Sequence, residues 1–135
     1  MNSLEIVTTA RLLVRDQSDR LFMPIRPCSA KSRPGDGDFF GGKVDAGETS
    51  ADAVVREFYE ETGYQIDASG ISYLYGETDR DNDTWFVRDY FVYGGRLALD
   101  QIQKTPEHIG LVCVSEATAL YLTQFEPHRR AIGCL

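Results

Sequence analysis

The sequence predicts an α/β (α+β) fold in one domain over residues 1–135. Three observations carry that expectation. One well-capped amphipathic helix stands near the middle of the chain. Strand-like apolar runs flank it on both sides. A chain of 135 residues with 42% hydrophobic content can also bury one core.

The elements follow in order. Residues 6–14 and 21–25 are apolar runs that read as strands, parted by a hairpin-like break at 16–19. Residues 26–38 are polar and rich in Gly and Pro. They read as a long loop, of the kind that often binds a ligand or closes over one. The helix is expected over 50–62. Thr49 and Asp52 fit the N-cap and N3 positions of a capping box. Ala51, Val54, Val55 and Phe58 form one apolar stripe, and Gly63 ends the helix as a C′ glycine. Residues 71–78 and 85–93 read as strands separated by an acidic turn at 79–83. Another strand is expected at 109–114, then a helix capped by Ser115 and running to Leu122. Pro127 would open a short last helix.

The central helix carries the chemistry. Glu57, Glu60 and Glu61 are spaced i, i+3, i+4 and share a face. Like charges so placed repel, and the nearby base, Arg56, is expected on the far flank. A hard divalent cation would relieve the cluster, Mg²⁺ first and Mn²⁺ second, because all the ligands are oxygens. Taken alone, such a run is a solvated acidic face. The preceding loop changes the reading. Gly41 and Gly42 let the backbone bend tightly beside the helix. Glu48 and Arg56 are placed to pair loop with helix.

Gly42, Glu48, Arg56, Glu57, Glu60, Glu61 and Gly63 together fill every fixed position of a known motif. The chain resembles the Nudix hydrolases (MutT-like) through this box. The resemblance implies a mixed β-sheet sandwiched between α-helices. It implies hydrolysis of a phosphoanhydride bond in a nucleoside diphosphate linked to another group. Glu57, Glu60 and Glu61 would ligate metal, joined by the carbonyl of Gly42. Glu48 and Arg56 would brace the loop against the helix. The general base would be Glu57, or a glutamate on a later loop that also ligates metal. Glu107, just before the strand at 109–114, stands in that later place, with His108 a weaker candidate.

Composition bears on partners. The net charge of −7 argues against broad nucleic-acid binding. An anionic substrate then needs local cations, and Arg26, Lys31, Arg33 and Lys43 lie upstream of or within the box. No apolar run approaches the about 18 residues of a membrane span. The first ten residues carry no basic start or apolar stretch of a signal peptide. Cys28, Cys113 and Cys134 fit neither a zinc site nor a disulfide framework, which makes a reduced cytoplasmic setting the default. Cys113 reads as a core residue. Many Nudix proteins pair as homodimers, which leaves that assembly open.

The substrate is less legible. Residues 40–44, from Phe40 to Val44, resemble the glycine-loop entrance of animal oxidised-purine triphosphatases. Most members carry proline where Phe40 stands. Glu126, Pro127 and His128 occupy about the place where those purine enzymes use an acidic pair. Phe39, Phe40, Trp85 and Phe125 are candidates to stack a base. Asp79 stands where ADP-ribose hydrolases tend to carry proline, and Arg80 where dinucleoside tetraphosphate hydrolases tend to carry tyrosine. The leading expectation is a Mg²⁺-dependent pyrophosphohydrolase of a (d)NTP, oxidised forms included, with Arg26, Arg33, Phe40 and Lys43 contacting the nucleotide. The alternatives are a non-catalytic nucleotide-binding module and a hydrolase of ADP-ribose or a nucleotide sugar. More remote is isopentenyl diphosphate isomerase, which would call on a cysteine such as Cys28.

Overall fold

The computed structural model describes residues 4–102 and 110–135. Strand β1 is Glu5–Asp16, β2 is Leu21–Ile25 and β3 is Phe40–Lys43. Helix α1 (Ser50–Thr62) precedes the long hairpin of β4 (Ile71–Asp81) and β5 (Thr84–Leu97). Strand β6 (Gly110–Val114) and helices α2 (Glu116–Leu122) and α3 (Glu126–Ile132) complete the order. Among the described residues, six strands form one mixed sheet in the order β4-β5-β1-β2-β6, with β3 also paired to β1. Among these strands β1 and β5 run parallel, and the other described pairs are antiparallel.

Alternation along β1 builds two cores. Ala10, Leu12 and Val14 face one side, where Ala53, Val54 and Phe58 of α1 cover them. Leu13 joins the other side with Ala119 of α2 and Ala131 and Ile132 of α3. The sheet is therefore sandwiched between helices, as the sequence predicts. The buried line of α1 runs through Ala53, Val54, Phe58, Glu61 and Thr62. Val55 lies off it and is only half-buried, so the expected apolar stripe is rotated by part of a turn. That rotation draws Glu61 inward.

Several boundaries differ from expectation, each for a tertiary reason. The acidic stretch at 79–83 is mostly strand: Asp79 and Arg80 pair across to Phe86 and Trp85. Arg88 donates to Asp79 at 2.8 Å, which holds that register. Asn82, at φ 54, and Asp83 make the tight turn. Strand β3 falls at a site where two glycines hide any strand signal, and its pairing to β1 alone creates it. The 26–38 loop is tied down. Arg26 and Asp36 pair through their backbones at 2.9 Å, and Asp36 accepts from the Gln124 amide at 2.8 Å and the Thr123 hydroxyl at 3.2 Å. It thus anchors to the α2–α3 junction. Cys113 is half-buried and packs against the α1-side core.

Candidate functional site

Helix α1 is fixed at both ends. The Asp52 amide donates to the Thr49 hydroxyl at 3.0 Å, and the Thr49 amide donates to the Asp52 carboxylate at 3.4 Å. Gly63 closes the other end at φ 77, its amide donating to Tyr59 at 2.7 Å. A side-chain N-cap of this kind stabilises a helix by about 1 kcal/mol.

Strand β3 approaches this face more closely than side chains allow. A Cβ on Gly41, at φ 139, would lie 2.0 Å from the Ala10 carbonyl oxygen. A Cβ on Gly42 would lie 2.7 Å from a Glu57 carboxylate oxygen. The glycines thus let backbone stand directly against the acids. The Gly41 amide donates to Glu61 at 2.8 Å, and Glu61 is only 6% exposed.

Arg56 occupies a different place from the expected far flank. It grips Glu48 with two bonds, at 2.6 and 3.1 Å, and donates to Glu57 at 3.1 Å. It also reaches Glu60 at 3.4 Å and the Lys43 carbonyl at 3.2 Å. The loop-to-helix pair is therefore present, and the same guanidinium offsets part of the repulsion among the acids. Its bond to Glu48 holds that carboxyl below the usual range. Glu57 is pushed the other way, by burial first and by neighbouring Glu61 and Glu60, against the pull of Arg56. Among the described residues no three acidic, His or Cys side chains already converge on one cation position. Glu60 is engaged by Arg56, and Glu61 by the Gly41 amide. Glu107 and His108 lie outside the described residues.

Two cavities reach β3, and the smaller also adjoins the helix acids. The smaller, about 320 Å³, is lined by Arg11, Arg26, Asp38, Gly41, Glu57 and Glu61, among others. The larger, about 650 Å³, is lined by Arg33, Lys43, Arg88, Tyr90, Phe125 and His128, among others. Arg11 lines both. Of the residues expected to contact a nucleotide, Arg26 faces the smaller cavity, and Arg33 and Lys43 the larger. Phe40 does not. It is 2% exposed and packs edge-on against Phe58, 4.8 Å between centroids, so its ring is core under α1. Phe39 is buried too, beside His128. Phe125 is one aromatic wall of the larger cavity, with the guanidinium carbons of Arg33 and Arg88 at 4.1 and 5.2 Å from its ring centre. Trp85 is half-buried and sits under Arg80 at 5.6 Å. Cys28 is exposed on the loop.

Sequence reasoning missed Arg11, Asp38 and Tyr90. Arg11 had a signal, a lone charge inside an apolar strand. Asp38 and Tyr90 had none, because their partner His128 is remote in sequence.

Residues 6–132 match the NUDIX domain family. The chain belongs to that family and is a Nudix hydrolase. The structure is similar to the MutT protein from Methanosarcina mazei Go1, at 21% identity and TM-score 0.80, over 98% of this chain and 94% of that one. It is also similar to E. coli dihydroneopterin triphosphate pyrophosphohydrolase, at 19% identity and TM-score 0.73, over 97% and 95%. A C. elegans Ap4A hydrolase is similar at 18% identity and TM-score 0.70, over 94% and 93%. At such identities the likeness is one of fold. Comparison with curated proteins returns no match. Among the described residues no helix is long and apolar enough to cross a membrane.

Proposed function

We propose that this chain is a Mg²⁺-dependent pyrophosphohydrolase of nucleoside triphosphates, deoxy and oxidised forms included, acting as one domain. The observation that carries this reading is the pair of cavities that share Arg11 in their linings, one beside Glu57 and Glu61, the other walled in part by Phe125. A polyphosphate fits the first and a base the second. Two similar structures are named for enzymes of dihydroneopterin triphosphate and of Ap4A, and those names support a polyphosphate substrate for this chain.

The donor set suits a hard divalent ion. Glu57, Glu60 and Glu61 offer only oxygens, and the Gly42 backbone stands where any Cβ would crowd Glu57. These three acids and the Gly42 carbonyl would hold Mg²⁺, or Mn²⁺ in its place. A bound ion supplies Lewis acidity and lowers the proton affinity of water. Arg11 and Arg26 neutralise the phosphate chain, Arg33 and Lys43 face the nucleoside side, and Phe125 stacks the base. Glu48 and Arg56 keep loop and helix in register. Glu107 takes the proton of the attacking water, with Glu57 as the fallback base.

The test is release of pyrophosphate or phosphate across a nucleotide panel with Mg²⁺ and an EDTA control. The panel spans canonical and oxidised dNTPs, ADP-ribose, nucleotide sugars, dinucleoside polyphosphates and isopentenyl diphosphate. Metal-dependent turnover of triphosphates is expected. Turnover of a different class replaces the substrate assignment. No turnover, with nucleotides still raising Tm, replaces the enzyme by a binding module. In Glu107→Gln, kcat should fall with Tm unchanged; an unchanged kcat moves the base to Glu57.

A further inference from the structure

A buried polar chain runs between the two cavities. Asp38, just ahead of β3, is 5% exposed. One of its oxygens accepts from the Phe39 amide at 2.8 Å and from His128 Nε2 at 2.8 Å. The other accepts from Arg26 Nη1 at 3.0 Å, and Arg11 Nη1 lies 3.7 Å from the carboxylate. His128, on α3, is 1% exposed, and its Nδ1 lies 2.6 Å from the Tyr90 hydroxyl. The directions follow from the chemistry. An ionised carboxylate can only accept, so His128 donates from Nε2. The neutral ring then offers Nδ1 as acceptor to the Tyr90 hydroxyl.

A buried carboxylate is costly unless paired, and an apolar replacement of a buried ion pair is often at least as stable. Stability alone is therefore a weak reason for this one. What it does hold is two guanidinium groups. The Arg26 Nε is taken by the Ser32 carbonyl at 2.8 Å and its Nη1 by Asp38. Among the described residues its Nη2 has no hydrogen-bond partner. Arg11 spends Nη1 on the carbonyls of Phe39 and Gly41, at 3.3 and 3.2 Å. Both arginines line the small cavity that Glu57 and Glu61 also line. An unanchored guanidinium there would be drawn to the helix acids and away from an incoming anion.

We infer that Asp38 is a positioning residue for the phosphate grip, holding Arg26 and Arg11 toward the small cavity, and that His128 and Tyr90 hold Asp38 from the wall of the large one. This rests on the hydrolase reading above. The same chain joins the base side to the phosphate side, so a disturbance at α3 is felt as weaker grip on the polyphosphate.

Full-length variants separate this role from plain structural support. Steady-state kinetics with Mg²⁺ use the triphosphate that the wild type turns over fastest, and Tm is measured in parallel. Asp38→Asn should raise KM about tenfold or more, the loss of a charge-assisted hydrogen bond, with kcat within about threefold. His128→Leu should do the same. His128→Gln, whose amide can still donate to Asp38, should restore KM toward wild type. A purely structural pair would lower Tm and the active fraction while leaving KM alone, and that pattern overturns the inference. Should Asp38→Asn not fold, Arg26→Gln, at a half-buried position, decides: an unchanged KM overturns the inference. Absence of turnover in the wild type sinks the hydrolase reading by itself. Calorimetric titration of ATP and GTP then takes over, and equal Kd in wild type and Asp38→Asn rejects the positioning role.

Discussion

Glu60 and Glu61 share a helix face but have separate surroundings, which makes them separable by substitution. Glu61 is buried and accepts from the Gly41 amide, whereas Glu60 is exposed and paired with Arg56. Glutamine keeps the shape and an accepting oxygen in both cases, so the fold should survive. It removes the charge a cation needs. Glu60→Gln and Glu61→Gln should each lower kcat by about 100-fold with Tm nearly unchanged. Near-normal turnover in both would end the ligand assignment. These acids were legible because their spacing is local. The Asp38–His128 contact was not, since it joins residues 90 positions apart and no periodicity encodes such a meeting. Phe40 was misplaced for a related reason. An aromatic residue beside a glycine loop reads the same whether it faces a ligand or the core, and only the packing on Phe58 decides. Phe40→Ala should therefore cost about 3–5 kcal/mol of stability. If instead KM rises while Tm holds, the ring belongs to the substrate after all.

At the scale of elements, helix α1 was readable to its ends. Its cap, its closing glycine and its apolar spacing all lie within one stretch of chain, and each agrees with the others. The observed span Ser50–Thr62 and the Thr49–Asp52 box follow directly. Strand β3 shows the opposite case. Gly41 and Gly42 have poor strand propensity, and the element exists because β1 supplies its partner. That dependence can be tested from either side. Thr49→Ala removes a local cap and should cost about 1 kcal/mol, measured by denaturant unfolding, with little change in KM. Gly41→Ala forces a Cβ against the Ala10 carbonyl at a positive φ, so β3 must shift. It should lower both stability and turnover, because β3 carries the backbone that faces Glu57 and Glu61. Wild-type turnover in Gly41→Ala would show that the loop's close approach is dispensable.

Across the whole molecule, the buried His128 gathers charged and polar groups from the loop before β3, from the long loop, from β1 and from β5. His128 is faced by Asp38 before β3, Arg11 on β1, Arg33 on the long loop and Tyr90 on β5. Burial, the largest influence, lowers its proton affinity, and Arg11 and Arg33 act in the same direction; Asp38 opposes them. The folded protein therefore keeps the ring neutral at a pH where the unfolded chain, with its histidine near about 6.5, begins to bind a proton. The sign follows by linkage: the unfolded state takes up more protons, so stability is full above that pH and is lost as pH falls toward the lower folded value. Asp38 acts in a different window. Burial alone would raise it, but Arg11 and His128 hold it well below the carboxylate range, so its contribution is lost only in strong acid. Protonating His128 also removes the acceptor that Tyr90 uses, which adds to the loss. The expected result is a Tm that declines as pH is lowered through the histidine range, and a flatter profile in His128→Gln, which has no proton to gain there. Parallel profiles for the two proteins would place the acid sensitivity elsewhere in the chain.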